Sequence, residues 1–261
     1  MQFKKTPKLT LVGAGPGDID LITVKGVKAL AEADVVLYDA LINPELLEYA
    51  PKRAIKKFVG KRKGFHRYSQ EEINQLIVDY AFSNGHVVRL KGGDPFIFGR
   101  GSEEIDYVDS FGIEAEVVPG ISSSISVPAT QGISLTKRGV SESFWVITGT
   151  TSARKLSKDV ELAAQSTATI AILMGMSKLP EIVELFQHYG RGNEAVAIIQ
   201  NGTLPNEKVG VGTINSIVEE VENKKLSNPA VIVIGDVVKH SHKLKEFCTE
   251  VIINQKTNGK K

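Results

Sequence analysis

Three segments of the 261-residue chain concentrate residues able to bind ligands and move charge. The densest is VVRLKGGDPFIFGRG, Val87 to Gly101. A short apolar strand (Val87, Val88, Leu90) runs into Gly92 and Gly93, where a ligand can approach bare backbone. Asp94 adds a fixed anion at the strand's carboxyl end, and Pro95 stiffens the exit. Phe96, Ile97 and Phe98 supply apolar walls, and Arg100 a cation. The second segment is Tyr38-Asp39, at the end of another apolar run. Ligands collect at the carboxyl ends of strands in open α/β sheets, so this carboxylate could accept a proton, orient a substrate N–H, or merely cap a turn. The third is the basic stretch Lys52 to Arg67, with no acid between Tyr49 and Gln70. A like-charged run can be a solvated face. Here Gly60-Lys61-Arg62-Lys63-Gly64 brackets three cations between glycines, as a loop offered to an anion would. A polycarboxylate suits it, because Arg pairs bidentately and Lys acts as a mobile point charge; nucleic acid is the rival, with no interleaved aromatic platform beyond Phe65 and Tyr68.

Other segments carry weaker signals. LVGAGPGD, Leu11 to Asp18, follows a strand as a nucleotide-binding turn would. The dinucleotide fingerprint needs glycine at its sixth position, and Asp18 stands there, where a diphosphate wants positive potential. NAD and FAD are therefore disfavoured. The spacing also matches Rossmann-like methyltransferases, although Pro16 restricts the turn, and a plain glycine turn fits equally well. Val118-Pro-Gly-Ile-Ser-Ser-Ser124 offers hydroxyls and N–H groups that could hold a polar head or cap their own helix. Arg138, in Leu135 to Gly139, would sit at an inter-domain cleft or on a surface hinge. Met174, at a strand end, could wall an adenine or thioether, or simply fill core.

The elements that must position these residues alternate between short apolar runs and helical patterns. This predicts βαβ units and a mainly parallel sheet. Strands are expected at 8–14, 35–38, 86–90 and 115–118, then at 144–148, 169–173, 195–200, 207–211 and 230–234. Thr23 caps a helix to about Ala33, and Asn43-Pro44 opens a short one. Ser69 and Glu72 have capping-box spacing ahead of the apolar face Ile73, Leu76, Ile77 and Tyr80. Further helices are expected over 101–110, 177–188 and 213–223. The pattern breaks into polar and Gly residues around Lys137 to Glu142. The expected domains are therefore 1–139 and 140–247, followed by a polar tail, 248–261.

Bulk properties bound the partners. A net charge of +2 gives no argument for nucleic acid or membrane. Cys248 is the sole cysteine, so an internal disulfide is excluded and a reducing compartment fits. No metal cluster is expected. The apolar run after Lys4 and Lys5 is short and glycine-broken, so no signal peptide is expected, and no run reaches membrane-spanning length. A cytoplasmic protein is the expectation.

In their order, these strings resemble the tetrapyrrole (corrin/porphyrin) methylase family, specifically its branch that acts on uroporphyrinogen III. The matching strings are VGAGPGD, ADVVLYDALI, VVRLKGGDPFIFGRG, VVPGIS, LMG, QNGT and, in gapped form, VGKRKG-H-QEEIN and GI-LT-RG. With weaker matches they run from Leu11 to about Phe247. The resemblance implies two α/β domains with S-adenosylmethionine in the cleft between them, usually as a homodimer, and here in a single-function form. It implies methylation of uroporphyrinogen III at C2 and C7, giving precorrin-2 for sirohaem, cobalamin or haem d1 synthesis. S-adenosylhomocysteine would be the by-product. Carried over by position, Pro16, Gly92, Gly93, Asp94, Ile97, Ser122, Ser123, Met174 and Gly202 correspond to cofactor contacts. Asp39 matches the proposed proton acceptor and Lys61 the proposed donor. Arg100, Glu103 and Arg138 match positions implicated in holding the tetrapyrrole. The substrate's eight carboxylates suit the cationic segment, and its pyrrole N–H groups suit Asp39 or Glu103. The chain departs from the family's pattern at Lys137 and Thr150, where histidines are usual. A later precorrin methylase of the same family is the alternative.

Overall fold

A computed structural model of the chain describes residues 6–60 and 68–244. These residues divide into two compact units, one ending at Ser122 and the other beginning at Ser123.

The first unit holds strands β1 (Lys8–Gly13), β2 (Val35–Tyr38), β3 (Ile55–Phe58), β4 (His86–Lys91) and β5 (Glu114–Val118), and helices α1 (Val24–Ala31), α2 (Gln70–Asn84) and α3 (Gly101–Asp109). Its sheet has the order β3-β2-β4-β1-β5, with every neighbouring pair parallel. Alternate residues of β1, β2, β4 and β5 feed two apolar layers. Val12, Val36, Val88 and Leu90 join Leu30 of α1 on one face. Leu9, Leu11, Leu37 and Val87 join Ile73 and Ile77 of α2 and Val108 of α3 on the other. The capping box forms as the spacing predicts: Glu72 N–H donates to Ser69 Oγ at 3.1 Å, and Ser69 N–H donates to Glu72 Oε2 at 2.6 Å. β3 lies inside the basic stretch, where the sequence reading placed no strand. It is an edge strand with little burial, so its residues carry no apolar alternation to detect.

The second unit holds α4 (Ser123–Thr130), β6 (Phe144–Thr148), α5 (Asp159–Gln165), β7 (Thr169–Leu173), α6 (Leu179–His188), β8 (Ala195–Gln200), β9 (Lys208–Thr213), α7 (Ile217–Lys224) and β10 (Ala230–Ile234). Its sheet order is β6-β7-β10-β8-β9. Only β6 and β7 pair in parallel; the β7–β10, β10–β8 and β8–β9 pairs are antiparallel. The expectation of a mainly parallel sheet therefore holds for the first unit and fails for the second. The physical reason is chain length: residues 201–207 are too few for a crossover helix, so β9 must fold back on β8. Ile170, Ile172, Ile198 and Ile232 pack with Ile182 and Phe186 on one face. Ala197, Ile199, Val231 and Val233 pack with Val127 of α4 on the other. Because α4 packs on this sheet, the units divide ahead of the polar segment 137–142 where the sequence pattern breaks. No helix among the described residues is long and apolar enough to cross a membrane.

Candidate functional site

Strand order locates the natural ligand position of the first unit. β1 and β4 are neighbours, yet β1 leads away to β2 on one side and β4 to β5 on the other. Connections that diverge in this way open a crevice at the strands' carboxyl ends. Three glycines converge there. A Cβ on Gly13 would strike the Gly120 backbone and come within 2.7 Å of Gly93 O, and one on Gly120 would strike Gly93 O. Gly93 N–H donates to Gly15 O at 2.7 Å and Gly15 N–H to Gly93 O at 3.2 Å, so the turns after β1 and β4 are sewn together through backbone. Gly15 (φ +77°) and Gly93 (φ +66°) lie in the left-handed region, where lacking a Cβ is an advantage. Pro16 follows in the same turn, and Asp18 caps the short helix Ile19–Leu21 by accepting from Asp20 N–H.

Asp94 ties the remaining loop to this knot. Its Oδ1 accepts Phe96 N–H at 2.8 Å, and its Oδ2 accepts Gly120 N–H at 3.0 Å. Beyond it, Phe96, Ile97 and Phe98 are exposed large apolar side chains. Phe98 (φ 54°) and Arg100 (φ 60°) take left-handed backbone, a strained choice for non-glycine residues. Arg100 forks onto Glu103, with Nε 2.8 Å from Oε1. That ion pair raises the Arg100 pKa and lowers that of Glu103.

Asp39, at the end of β2, lies beside this loop. Its Oδ1 accepts Gly92 N–H at 3.4 Å, and its Oδ2 is 3.5 Å from Arg89 Nη2. Gly60 backs it: a Cβ there would strike Ala40 N and come within 2.9 Å of the Asp39 carbonyl carbon. Lys61, the expected proton donor next in sequence, lies outside the described residues. Below Asp39 is a buried ionic cluster. Glu104 Oε1 accepts from Lys91 Nζ (2.8 Å), Arg89 Nε (3.2 Å) and Gln70 Nε2 (3.2 Å). The Glu104 side chain is fully buried, and Arg89 and Lys91 are nearly so. Burial, and then Arg89's charge, push the Lys91 pKa down.

The other expected residues fall in the second unit or at its start. Ser122 ends the first unit, and Ser123 opens α4. β6, β7 and β8 run the same way, so their exits share one sheet edge. At that edge Thr150 Oγ1 donates to Met174 O at 2.9 Å, and a Cβ on Gly149 would strike Gly175. Met174 (φ 55°), Asn201 (φ 50°) and Thr203 (φ 72°) adopt left-handed backbone there. Gly202 has no space for a side chain against Val127 of α4. Arg138 is exposed, in a turn closed by Ser141 N–H donating to Lys137 O at 2.9 Å. The structure thus gathers Pro16, Asp39, Gly92, Gly93, Asp94, Ile97, Arg100 and Glu103 at one edge of the first sheet. It places Met174 and Gly202 at one edge of the second.

Comparison with known proteins decides the family. The profile described as Tetrapyrrole (Corrin/Porphyrin) Methylases matches residues 8–218. The chain is a tetrapyrrole methylase. It is 52% identical over 235 residues to the uroporphyrinogen-III C-methyltransferase of Methanocaldococcus jannaschii, covering 89% of this chain and 97% of that protein. Among solved structures, it is similar to the uroporphyrin-III C-methyltransferase of Thermus thermophilus complexed with S-adenosylhomocysteine. That match has a TM-score of 0.76 and 35% identity, and covers 89% of this chain and 99% of the other. A cobalt precorrin-4 methyltransferase of cobalamin synthesis superposes with a TM-score of 0.79 at 27% identity, over 89% and 96% of the two chains.

In this tetrapyrrole methylase, the glycine strings and the loop acids are legible in the sequence, whereas no motif there singles out a role for Arg89, Lys91 or Glu104. A signal was available: two cations at alternate positions of an otherwise buried apolar strand must share a face and need a buried anion. The partner lies 13 and 15 residues on, across a loop and a helix start, so spacing alone could not choose Glu104 over Glu103.

Proposed function

We propose that the chain transfers methyl groups from S-adenosylmethionine to C2 and C7 of uroporphyrinogen III, giving precorrin-2. The observation that carries the methyl-transfer reading is the knot of closely packed backbone at Gly13, Gly93 and Gly120 on the carboxyl edge of the first sheet, which sets the partly exposed Gly92–Asp94 turn beside the Asp39 carboxylate. The residues fit the donor. Partly exposed Gly92 and Gly93 offer backbone to a polar group, and Ile97 offers an apolar surface to an adenine. Pro16, Asp94, Ser122, Ser123, Met174 and Gly202 complete the proposed cofactor set. When bound, S-adenosylmethionine supplies an electrophilic sulfonium methyl that an electron-rich pyrrole carbon attacks directly.

The chain's own residues then have limited work: alignment, exclusion of water and handling of the proton released at each methyl transfer. Asp39 accepts the proton released after methylation, and Lys61 is the proposed donor. Arg100, held by Glu103, and Arg138 engage substrate carboxylates. A cytoplasmic homodimer is the assembly this reading expects. The fold is shared with a precorrin-4 methyltransferase, so fold alone does not choose the substrate; the support for uroporphyrinogen III is the 52% identity over nearly the whole of a relative. The test is an anaerobic assay with uroporphyrinogen III and labelled donor. Wild type is expected to form a dimethylated product, and Asp39→Asn to lose about 10²-fold in rate, the low end of acid–base contributions. Label appearing only on an already methylated ring would select the later precorrin methylase instead.

A further inference from the structure

The buried cluster beneath Asp39 takes three charged side chains out of water. Arg89, Lys91 and Glu104 come from one strand and one helix start whose neighbours are packed apolar side chains. Replacing such a cluster with apolar residues of similar volume is often neutral or stabilising. Its bonding is also lopsided. Glu104 Oε1 accepts three donors, while Oε2 is buried and has no hydrogen-bond partner among the described residues. Arg89 is pinned on its other side as well: Nη1 donates to Leu37 O (3.4 Å) and Leu90 O (3.3 Å), both backbone atoms near the strand ends. The one guanidinium nitrogen left over, Nη2, points to Asp39 Oδ2 at 3.5 Å.

We propose that Arg89 and Glu104 are positioning residues for Asp39. Glu104 and the two carbonyls fix the guanidinium plane, and Nη2 together with Gly92 N–H fixes the carboxylate that faces the crevice. Lys91 Nζ, 2.8 Å from Glu104 Oε1, supplies the second cation facing the two carboxylates, so the formal charges of Asp39, Arg89, Lys91 and Glu104 cancel. The planar five-donor fork of arginine is what this geometry needs, because it must reach Glu104, two carbonyls and Asp39 at once; a lysine at position 89 cannot. Neither residue touches the reacting atoms. Both act through the orientation of Asp39, and the proposal rests on Asp39 being the proton acceptor.

The experiment is a double-mutant cycle on the full chain, using Arg89→Lys and Asp39→Asn singly and together. The readouts are kcat, the KM for S-adenosylmethionine and the affinity for S-adenosylhomocysteine. Glu104→Gln is run in parallel as a second, near-isosteric variant, and thermal melts confirm folding of each. The expected result is that R89K and E104Q each lower kcat about tenfold or more, as small misplacements do, with KM and S-adenosylhomocysteine affinity within about twofold of wild type. In the D39N background R89K costs nothing further, because its effect passes through the missing carboxylate. Effects of R89K and D39N that multiply would overturn the proposal while leaving Asp39 catalytic. So would a loss confined to KM, or full activity in R89K and E104Q. Full activity in D39N alone is a different outcome: it would remove the proton-acceptor role itself and this inference with it.

Discussion

Gly13 and Gly120 show how closely backbone packs at the carboxyl edge of the first sheet. Each faces backbone, not a side chain that could turn aside, so a methyl group at either position must push β1, β4 and β5 loops apart. Gly120→Ala is expected to cost about 1–3 kcal/mol, the range for overpacking, and to weaken S-adenosylhomocysteine binding in a calorimetric titration. Gly112→Ala makes a control, since a Cβ there meets nothing within 4 Å and only its φ of +70° is disturbed. The glycines themselves were legible as strings in the sequence. That Gly120 needs to be glycine because Gly93 O lies against it was not, since the two are brought together only by the β1–β5 and β1–β4 pairings. The same limit applies to Asp94. Its place in the loop was readable, but not that both carboxylate oxygens accept backbone N–H groups. Strain was invisible for a different reason. Phe98, Arg100, Met174, Asn201 and Thr203 have ordinary side chains, and their left-handed backbone is imposed by the loops that hold them.

At the level of elements, local signals were reliable where they were self-contained. The Ser69–Glu72 capping box sets the start of α2 through contacts three residues apart, and Ser69→Ala is expected to cost about 1 kcal/mol in denaturant unfolding. β3 was hidden because an edge strand of mixed lysine and apolar residues carries no alternation. β4 shows how an element's entry adds pH sensitivity. His86, its first residue, is held by Thr10 Oγ1 at 2.8 Å and Glu32 O at 3.2 Å. Burial, the largest influence on it, lowers its pKa below the ordinary 6.5. The unfolded chain therefore binds this proton more readily than the folded one. Stability from His86 is complete above about pH 7 and declines as pH falls through 6.5, levelling off below the folded value. His86→Gln is expected to flatten the dependence of Tm on pH between about 7.5 and 5.5; an unchanged slope would assign that dependence to other groups.

For the whole molecule, the βα alternation correctly announced two α/β units, but strand direction in the second depended on loop length more than on strand composition. β8 and β10 are as apolar as any parallel core strand, so their residues do not reveal antiparallel pairing. Each unit has its own two-layered core. In the second, Phe186 is fully buried among Ile170, Ile182 and Val196, and Phe186→Ala is expected to cost about 3–5 kcal/mol in urea unfolding. The site residues depend on these cores only for position. Chemistry enters where strand ends, bare backbone and paired charges meet, and the substrate is the part of the account that geometry alone leaves to sequence similarity. The most direct measurement is therefore the product itself. Purified protein should be incubated with uroporphyrinogen III and donor carrying a ¹³C methyl group, and the product examined by NMR. The account predicts two labelled methyl carbons, at C2 and C7 of a single macrocycle. Label at other ring positions, or none on uroporphyrinogen III while a methylated precorrin is labelled, would contradict it.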